Sequence, residues 1–166
     1  MKRLIVLLFF ICFVSYSAEI SGYVYKVIDG DTFILKDGED KFKVRMADID
    51  APELSQEFGE QARNYLADLI NGKKVNVEFH QIDMYGRIVG TVYYVDEAKL
   101  NVEIINRNMV KDGYAWWYRQ YSKELIYFEL EKDARLNKRG IWKSINVIEP
   151  WIYRKVNKRK GNRIWQ

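Results

Sequence analysis

The sequence predicts an α+β domain that is mainly β, with five strands coiled into a small Greek-key barrel and about three helices packed against it. Three observations carry this. Five short β-rich stretches are punctuated by Asp-Gly and Gly-containing turns. A helical apolar period falls between the third and the fourth. The chain has 166 residues, 48% of them apolar and 15% aromatic, with only two prolines. That is one domain's length with ample core volume, so disordered, collagen-like and low-complexity classes are excluded.

The first segment stands apart from this domain. Lys2 and Arg3 precede an apolar run from Leu4 to Val14, which exits through Ser15, Tyr16, Ser17 and Ala18. A basic start, a short apolar stretch and a small-x-small exit describe a cleaved secretory signal peptide over residues 1–17. The alternative, an uncleaved anchor, needs a run of about 20 residues, longer than this one. The expected product works in a periplasm or outside the cell, without its single cysteine, Cys12.

The strands begin with Ile20–Ile28, which is β-rich and roughly alternating. Asp29-Gly30-Asp31 makes a turn, Thr32–Lys36 resumes, and Asp37-Gly38 signals a hairpin into the cleanly alternating Lys41–Ala47. Ser55 is placed to cap a helix over Gln56–Ile70, where Phe58, Ala62, Leu66, Leu69 and Ile70 recur at helical spacing and Gly72 ends the run. Lys74–Phe79 and Ile88–Val95 supply the last two strands. Leu100–Asn106 reads as a short helix and Gly113–Tyr118 as a brief extended piece. Ser122 is placed to cap a third helix to about Asn137, with Ile126, Leu130 and Ala134 on one face. Five strands with a helix between the third and fourth match a barrel of the OB type.

Charge divides the chain. The formal net charge is +4, but six basic residues (Arg154, Lys155, Lys158, Arg159, Lys160, Arg163) crowd the last thirteen positions with no acid among them. The domain is therefore expected to span residues 18–153, and residues 154–166 to form a basic tail. That tail reads equally as a solvated, frayed end or as a weak polyanion contact. One histidine, His80, and one cysteine exclude zinc fingers, Cys–His proteases, paired-histidine ribonuclease chemistry and disulfide frameworks. Any chemistry must come from carboxylates, arginines, lysines, tyrosines or hydroxyls.

Acidic residues collect where the meander turns: Asp29 and Asp31 at the first turn, Asp48, Asp50 and Glu53 after the third strand. Singly, such aspartates read as turn formers. Together, Asp31 and Asp50 could converge on one hard cation, and Ca²⁺ accepts carboxylates, a carbonyl and water. Arg45 on the third strand and Arg87 at the Tyr85-Gly86-Arg87 turn offer guanidinium forks that match phosphate oxygens. A cation, two arginines and a spare carboxylate are what phosphodiester hydrolysis requires.

Three segments carry a resemblance. Val27-Ile28-Asp29-Gly30-Asp31-Thr32, Arg45 with Asp50-Ala51-Pro52-Glu53, and Asp83-x-Tyr85-Gly86-Arg87 are similar in order and spacing to the signatures of the staphylococcal nuclease family, as is Gly140-Ile141-Trp142. The resemblance covers about Ile20–Trp142. It implies a Ca²⁺-dependent nuclease on an OB barrel, cutting DNA and RNA, single-stranded or frayed by preference, to leave 3′-phosphates. It implies a monomer that needs no small-molecule cofactor. Asp31, Asp50 and the carbonyl of Ala51 then match the metal ligands, Ala51 standing where the family often has Thr. Glu53 matches the general base, Arg45 and Arg87 the phosphate-binding arginines, and Tyr85 the tyrosine near the terminal phosphate. Met84 stands where the family's type protein has Lys, which implies fewer phosphate contacts. Trp117, Tyr118 and Tyr121 lie where the family places base-stacking side chains; the tryptophans read as core, and Tyr121 as the better stacking candidate. The rival reading is a non-catalytic OB module that binds nucleic acid or protein. Degenerate relatives of that kind lose active-site residues, whereas Asp31, Arg45, Asp50, Glu53 and Arg87 are all present here.

Overall fold

The computed structural model describes residues 17–98 and 100–163; the expected signal segment lies, apart from Ser17, outside the described residues. The opening meander forms as three antiparallel strands, β1 (Ala18–Val27), β2 (Thr32–Asp37) and β3 (Asp40–Met46). Asp37 pairs with Asp40 across a two-residue turn. Gly38 takes φ 57° there, a left-handed conformation that costs glycine little. A two-residue strand, β4 (Ile49–Asp50), and helix α1 (Gly59–Ile70) follow.

Strands β5 (Lys74–Ile82) and β6 (Ile88–Asp96) complete the barrel. β1 pairs with both β2 and β5, β5 with β6, and β6 returns to β3 in a parallel pairing of Val44 with Ile88, Arg45 with Val89 and Met46 with Gly90. That last pairing closes the five-stranded OB-type barrel. Register shifts at Tyr25 in β1 and His80 in β5 supply the bends that closure needs. Inside it, Val24, Phe33, Leu35, Val44, Val75, Val77 and Val92 are fully buried and join Ala62, Leu66 and Ile70 of α1 in one core. The α1 stripe is therefore the one its periodicity predicts, with Phe58 and Leu69 at its half-buried margin.

Several expectations are corrected. Leu100–Asn106 is not one helix: Asn101–Ile104 is a strand (β7) on the edge of β6, and the helix, α2, runs over Ile105–Lys111. The β-branched Val102 and Ile104 pair better than they coil. Ser55 does not cap α1, which starts at Gly59 after Phe58 in a left-handed conformation. The preceding loop folds back so tightly that a Cβ at Gly59 would lie 2.0 Å from the Glu53 carbonyl oxygen. Of the expected extended piece only Trp116–Trp117 pairs, as β8, with β4. Helix α3 spans Leu125–Leu136, and Ser122 accepts from the Glu124 N–H just before it rather than capping it. Its inward face is Tyr127, Glu131 and Ala134, while Ile126 is largely exposed. Glu131 is tolerated inside because its carboxylate accepts from the Trp117 N–H and from Arg135.

The largest correction is at the end of the chain. Residues 154–163 are not a loose tail. Helix α4 spans Pro150–Arg163, a fourth helix among the described residues, so the boundary expected between Tyr153 and Arg154 falls inside it. Besides Arg154, contacts of Trp151, Tyr153 and the preceding Ile148 hold its first turns. Trp151 stacks on Tyr118 at 5.4 Å and 10°, the Tyr153 hydroxyl donates to the Ser55 carbonyl at 2.8 Å, and Gln56 donates to the Ile148 carbonyl just before it.

Candidate active site

Two loops meet at one mouth of the barrel because glycine and alanine let them. A Cβ at Gly30 would sit 2.6 Å from the Ala51 Cβ and 2.8 Å from that of Ala62, so any larger residue would push the first turn off the third-strand loop. This contact brings Asp31 beside Asp50, 19 positions further on. The Asp31 Oδ2 accepts from the Ala51 N–H at 2.8 Å, and its Oδ1 from the Thr32 hydroxyl at 3.0 Å.

Arg45 lies between the two aspartates. Its Nη1 is 2.9 Å from Asp31 Oδ2 and its Nη2 is 2.9 Å from Asp50 Oδ1; each also donates to a carbonyl, of Met46 and Ile49 respectively, at 3.0 Å. Both Nη groups are thus committed to this network, by three hydrogen bonds and the ion pair to Asp31. Asp31 and Asp50 are 6% and 1% exposed, so two carboxylates are held away from water around one guanidinium. Burial pushes the Asp50 carboxyl up from the usual range, against the pull of Arg154 and Arg45. Asp29 is pushed up to about 6 by burial and by the charge of Asp31. A cation beside Asp29 and Asp50 would oppose both upward shifts.

The donor set fits a hard divalent ion. Asp31 Oδ1 and Asp50 Oδ2 each carry one described hydrogen bond, leaving each an acceptor position. No three carboxylate, histidine or cysteine side chains converge among the described residues. Two carboxylates would therefore need a carbonyl and water to complete the shell, which suits Ca²⁺ chemistry.

Arg87 stands apart from this network. It precedes β6, and the parallel β3–β6 register puts it two residues before the position opposite Arg45, on the same outward face. Asp83 organises the turn: its Oδ1 accepts from the N–H groups of Tyr85 and Arg87, and its Oδ2 from Arg87 Nε at 2.7 Å. Burial works against ionised Asp83, but these bonds outweigh it and hold its carboxyl below the usual range. Among the described residues, the Arg87 side chain donates through Nε–H alone, and its guanidinium sits over the Tyr85 ring at 5.5 Å. Tyr85 and Met84 are themselves exposed. Tyr121 is exposed beside Tyr118 at 4.7 Å, while Trp117 packs at the core margin against Phe128.

Glu53 follows Pro52 at the rim, and its described side-chain hydrogen bond comes from a residue the sequence reading assigned to the tail. Arg154 Nη1 is 2.7 Å from Glu53 Oε1 and 3.1 Å from Asp50 Oδ1, and its Nη2 is 2.7 Å from Asp50 Oδ2. Burial opposes the charge of Arg154, but its bonds to Asp50 and Glu53 prevail and raise its pKa. A signal for this helix did exist. Pro150 opens it, where proline is favoured, with Trp151 and Arg154 three apart on one face.

A closed five-stranded barrel carrying buried aspartates, Arg45 and a rim glutamate at one mouth suits phosphodiester hydrolysis, and similarity to known proteins places the chain among the nucleases. The family model described as staphylococcal nuclease homologue matches residues 43–144. The chain is 39% identical over 150 residues to a protein named micrococcal nuclease from Shigella flexneri, covering 87% of this chain and 86% of that one. It is 39% identical over 137 residues to an uncharacterized endonuclease of Escherichia coli, covering 82% and 86%. Against another of Haemophilus influenzae it is 42% identical over 136 residues, covering 81% and 73%. The chain belongs to the staphylococcal nuclease family.

Proposed function

We infer that this nuclease hydrolyses DNA and RNA with Ca²⁺, breaking the P–O5′ bond to leave 3′-phosphates, as an exported monomer acting on single-stranded or frayed substrate. The observation that carries the reading is the convergence of Asp31 and Asp50 around Arg45 at one barrel mouth. Asp31, Asp50 and the Ala51 carbonyl would hold the ion, which when bound supplies positive charge against the phosphate oxygens. Glu53, half-exposed at the rim, orients the attacking water and accepts its proton. Arg87 offers its unspent Nη pair to the phosphate and stabilises charge on the five-coordinate phosphorus. Arg45 contributes its charge in place, held between Asp31 and Asp50. Tyr85 and Tyr121 border the path of the strand. Export is supported by the basic, apolar and small-residue pattern of residues 1–17.

The test is cleavage of single-stranded DNA by the chain from Ala18 onward, with Ca²⁺, with EGTA, and with Asp31→Ala. Cleavage abolished by both treatments is expected. Binding that survives EGTA without any cleavage would instead favour the non-catalytic OB module.

A further inference from the structure

We propose that Arg154 of helix α4 is a positioning residue for hydrolysis, fixing the Glu53 carboxylate against Asp50 so that the C-terminal helix is part of the active site. The proposal rests on the reading of Glu53 as the group that handles the attacking water.

Glu53 sits at the rim with its side chain 38% exposed, where a carboxylate is free to sample several rotamers. Its described side-chain bond is to Arg154 Nη1. The same nitrogen donates to Asp50 Oδ1, and Nη2 to Asp50 Oδ2, so the fork is anchored on a carboxylate that is itself 1% exposed and held by Arg45. The chain of support runs from Arg45 through Asp50 and Arg154 to Glu53. A guanidinium suits this because it is planar, always charged and able to serve two carboxylates at once. It also offsets the repulsion between Asp50 and Glu53, which would otherwise drive the rim carboxylate outward.

The helix is set to hold Arg154 there. Trp151, one turn earlier on the same face, stacks on Tyr118, and Tyr153 is tied to Ser55, two residues beyond Glu53. Helix α4 is thereby fastened to the loop that carries Glu53 and to the β8 end that pairs with β4. Asp50 Oδ2 keeps an acceptor position even with Arg154 in place, so the arrangement is compatible with Asp50 as a metal ligand.

The experiment compares Arg154→Gln, Arg154→Lys, Glu53→Gln and the Arg154→Gln/Glu53→Gln double variant in the full mature chain. It reads kcat and KM on a single-stranded oligonucleotide, and Ca²⁺ affinity by calorimetry with the metal alone. Arg154→Gln should lower kcat about a hundredfold while KM stays within about threefold, as expected when a reacting group is misplaced rather than lost. Its Ca²⁺ affinity should not fall, because a cation beside a ligand has been removed. The double variant should be no slower than Glu53→Gln alone, since both changes disable one unit. Arg154→Lys, which keeps the charge and covers any folding defect of the glutamine variant, should recover part of kcat. Full kcat in Arg154→Gln, losses that multiply in the double variant, or a kcat deficit matched by lost Ca²⁺ affinity would each overturn the proposal alone. An undiminished Glu53→Gln would overturn the reading of Glu53 and the proposal with it.

Discussion

Arg45 and Asp31 meet at 2.9 Å, and their meeting is written into strand register: Thr32, the residue after Asp31, is paired opposite Arg45 in β2 and β3. The same guanidinium reaches Asp50 across the loop that follows β3. One arginine thus holds both carboxylates through backbone pairing and a close-packed turn, before any ion or substrate arrives.

Removing that arginine leaves two buried charges without their shared partner. Arg45→Met should destabilise the fold by about 3–5 kcal/mol, the range seen when one side of a buried ion pair is deleted. Urea unfolding without Ca²⁺ measures this. Added Ca²⁺ should restore more stability to the variant than it adds to the parent, because it replaces the missing cation. An unchanged urea midpoint would show that the pairing contributes nothing.

Glu53→Gln bears on chemistry rather than stability. The side chain is half-exposed at the rim, so the variant should unfold at the parent's midpoint and bind Ca²⁺ as before. Turnover should fall by about 10²–10⁴, the usual contribution of a positioned acid or base. Turnover at the parent rate would remove Glu53 from the mechanism.

Arg87→Lys separates charge from geometry. Lysine keeps the charge, but it can neither bond Asp83 through Nε and present two Nη groups outward at once, nor match two phosphate oxygens. A loss of roughly a hundredfold in kcat/KM is expected, the scale of removing one oriented donor. If the lysine variant cleaves as fast as the parent, the fork is not used.

Asn106 is the prediction farthest from the chemistry. It is fully buried on α2; its Oδ1 accepts from the Val92 N–H at 2.9 Å, and its Nδ2 donates to the carbonyls of Ala47 and Gly90 at 2.9 and 3.2 Å. Asn106→Ala would leave the Val92 N–H and the Ala47 carbonyl without this partner, while the Gly90 carbonyl keeps the Ala47 N–H, and should cost about 2–4 kcal/mol. Specific activity per folded molecule should be nearly unchanged. Denaturant titration beside an activity assay separates the two effects.

Much of the molecule was legible in residue order alone. The meander, the α1 stripe and the last two barrel strands each follow from alternation or helical period that burial then enforces, so local pattern and tertiary demand agree. The region after Val95 was harder to read, because Val102 and Ile104 suit a strand while the spacing also allows a helix, and only pairing with β6 settled it. Asp31, Arg45, Asp50, Glu53 and Arg87 could be chosen from the sequence because turns and strand ends confine them to short motifs. The side chain held against Glu53 could not be. Arg154 stands 101 residues from Glu53, inside a basic run whose composition is that of a frayed end. Sequence by itself determined the barrel, since local periodicity and turn chemistry specify it, and it marked the acids and arginines as candidates through short motifs. Only the tertiary structure decided that α4 docks across that mouth, because the Trp151–Tyr118 stack and the Arg154 fork are long-range contacts that exist only once the chain has folded.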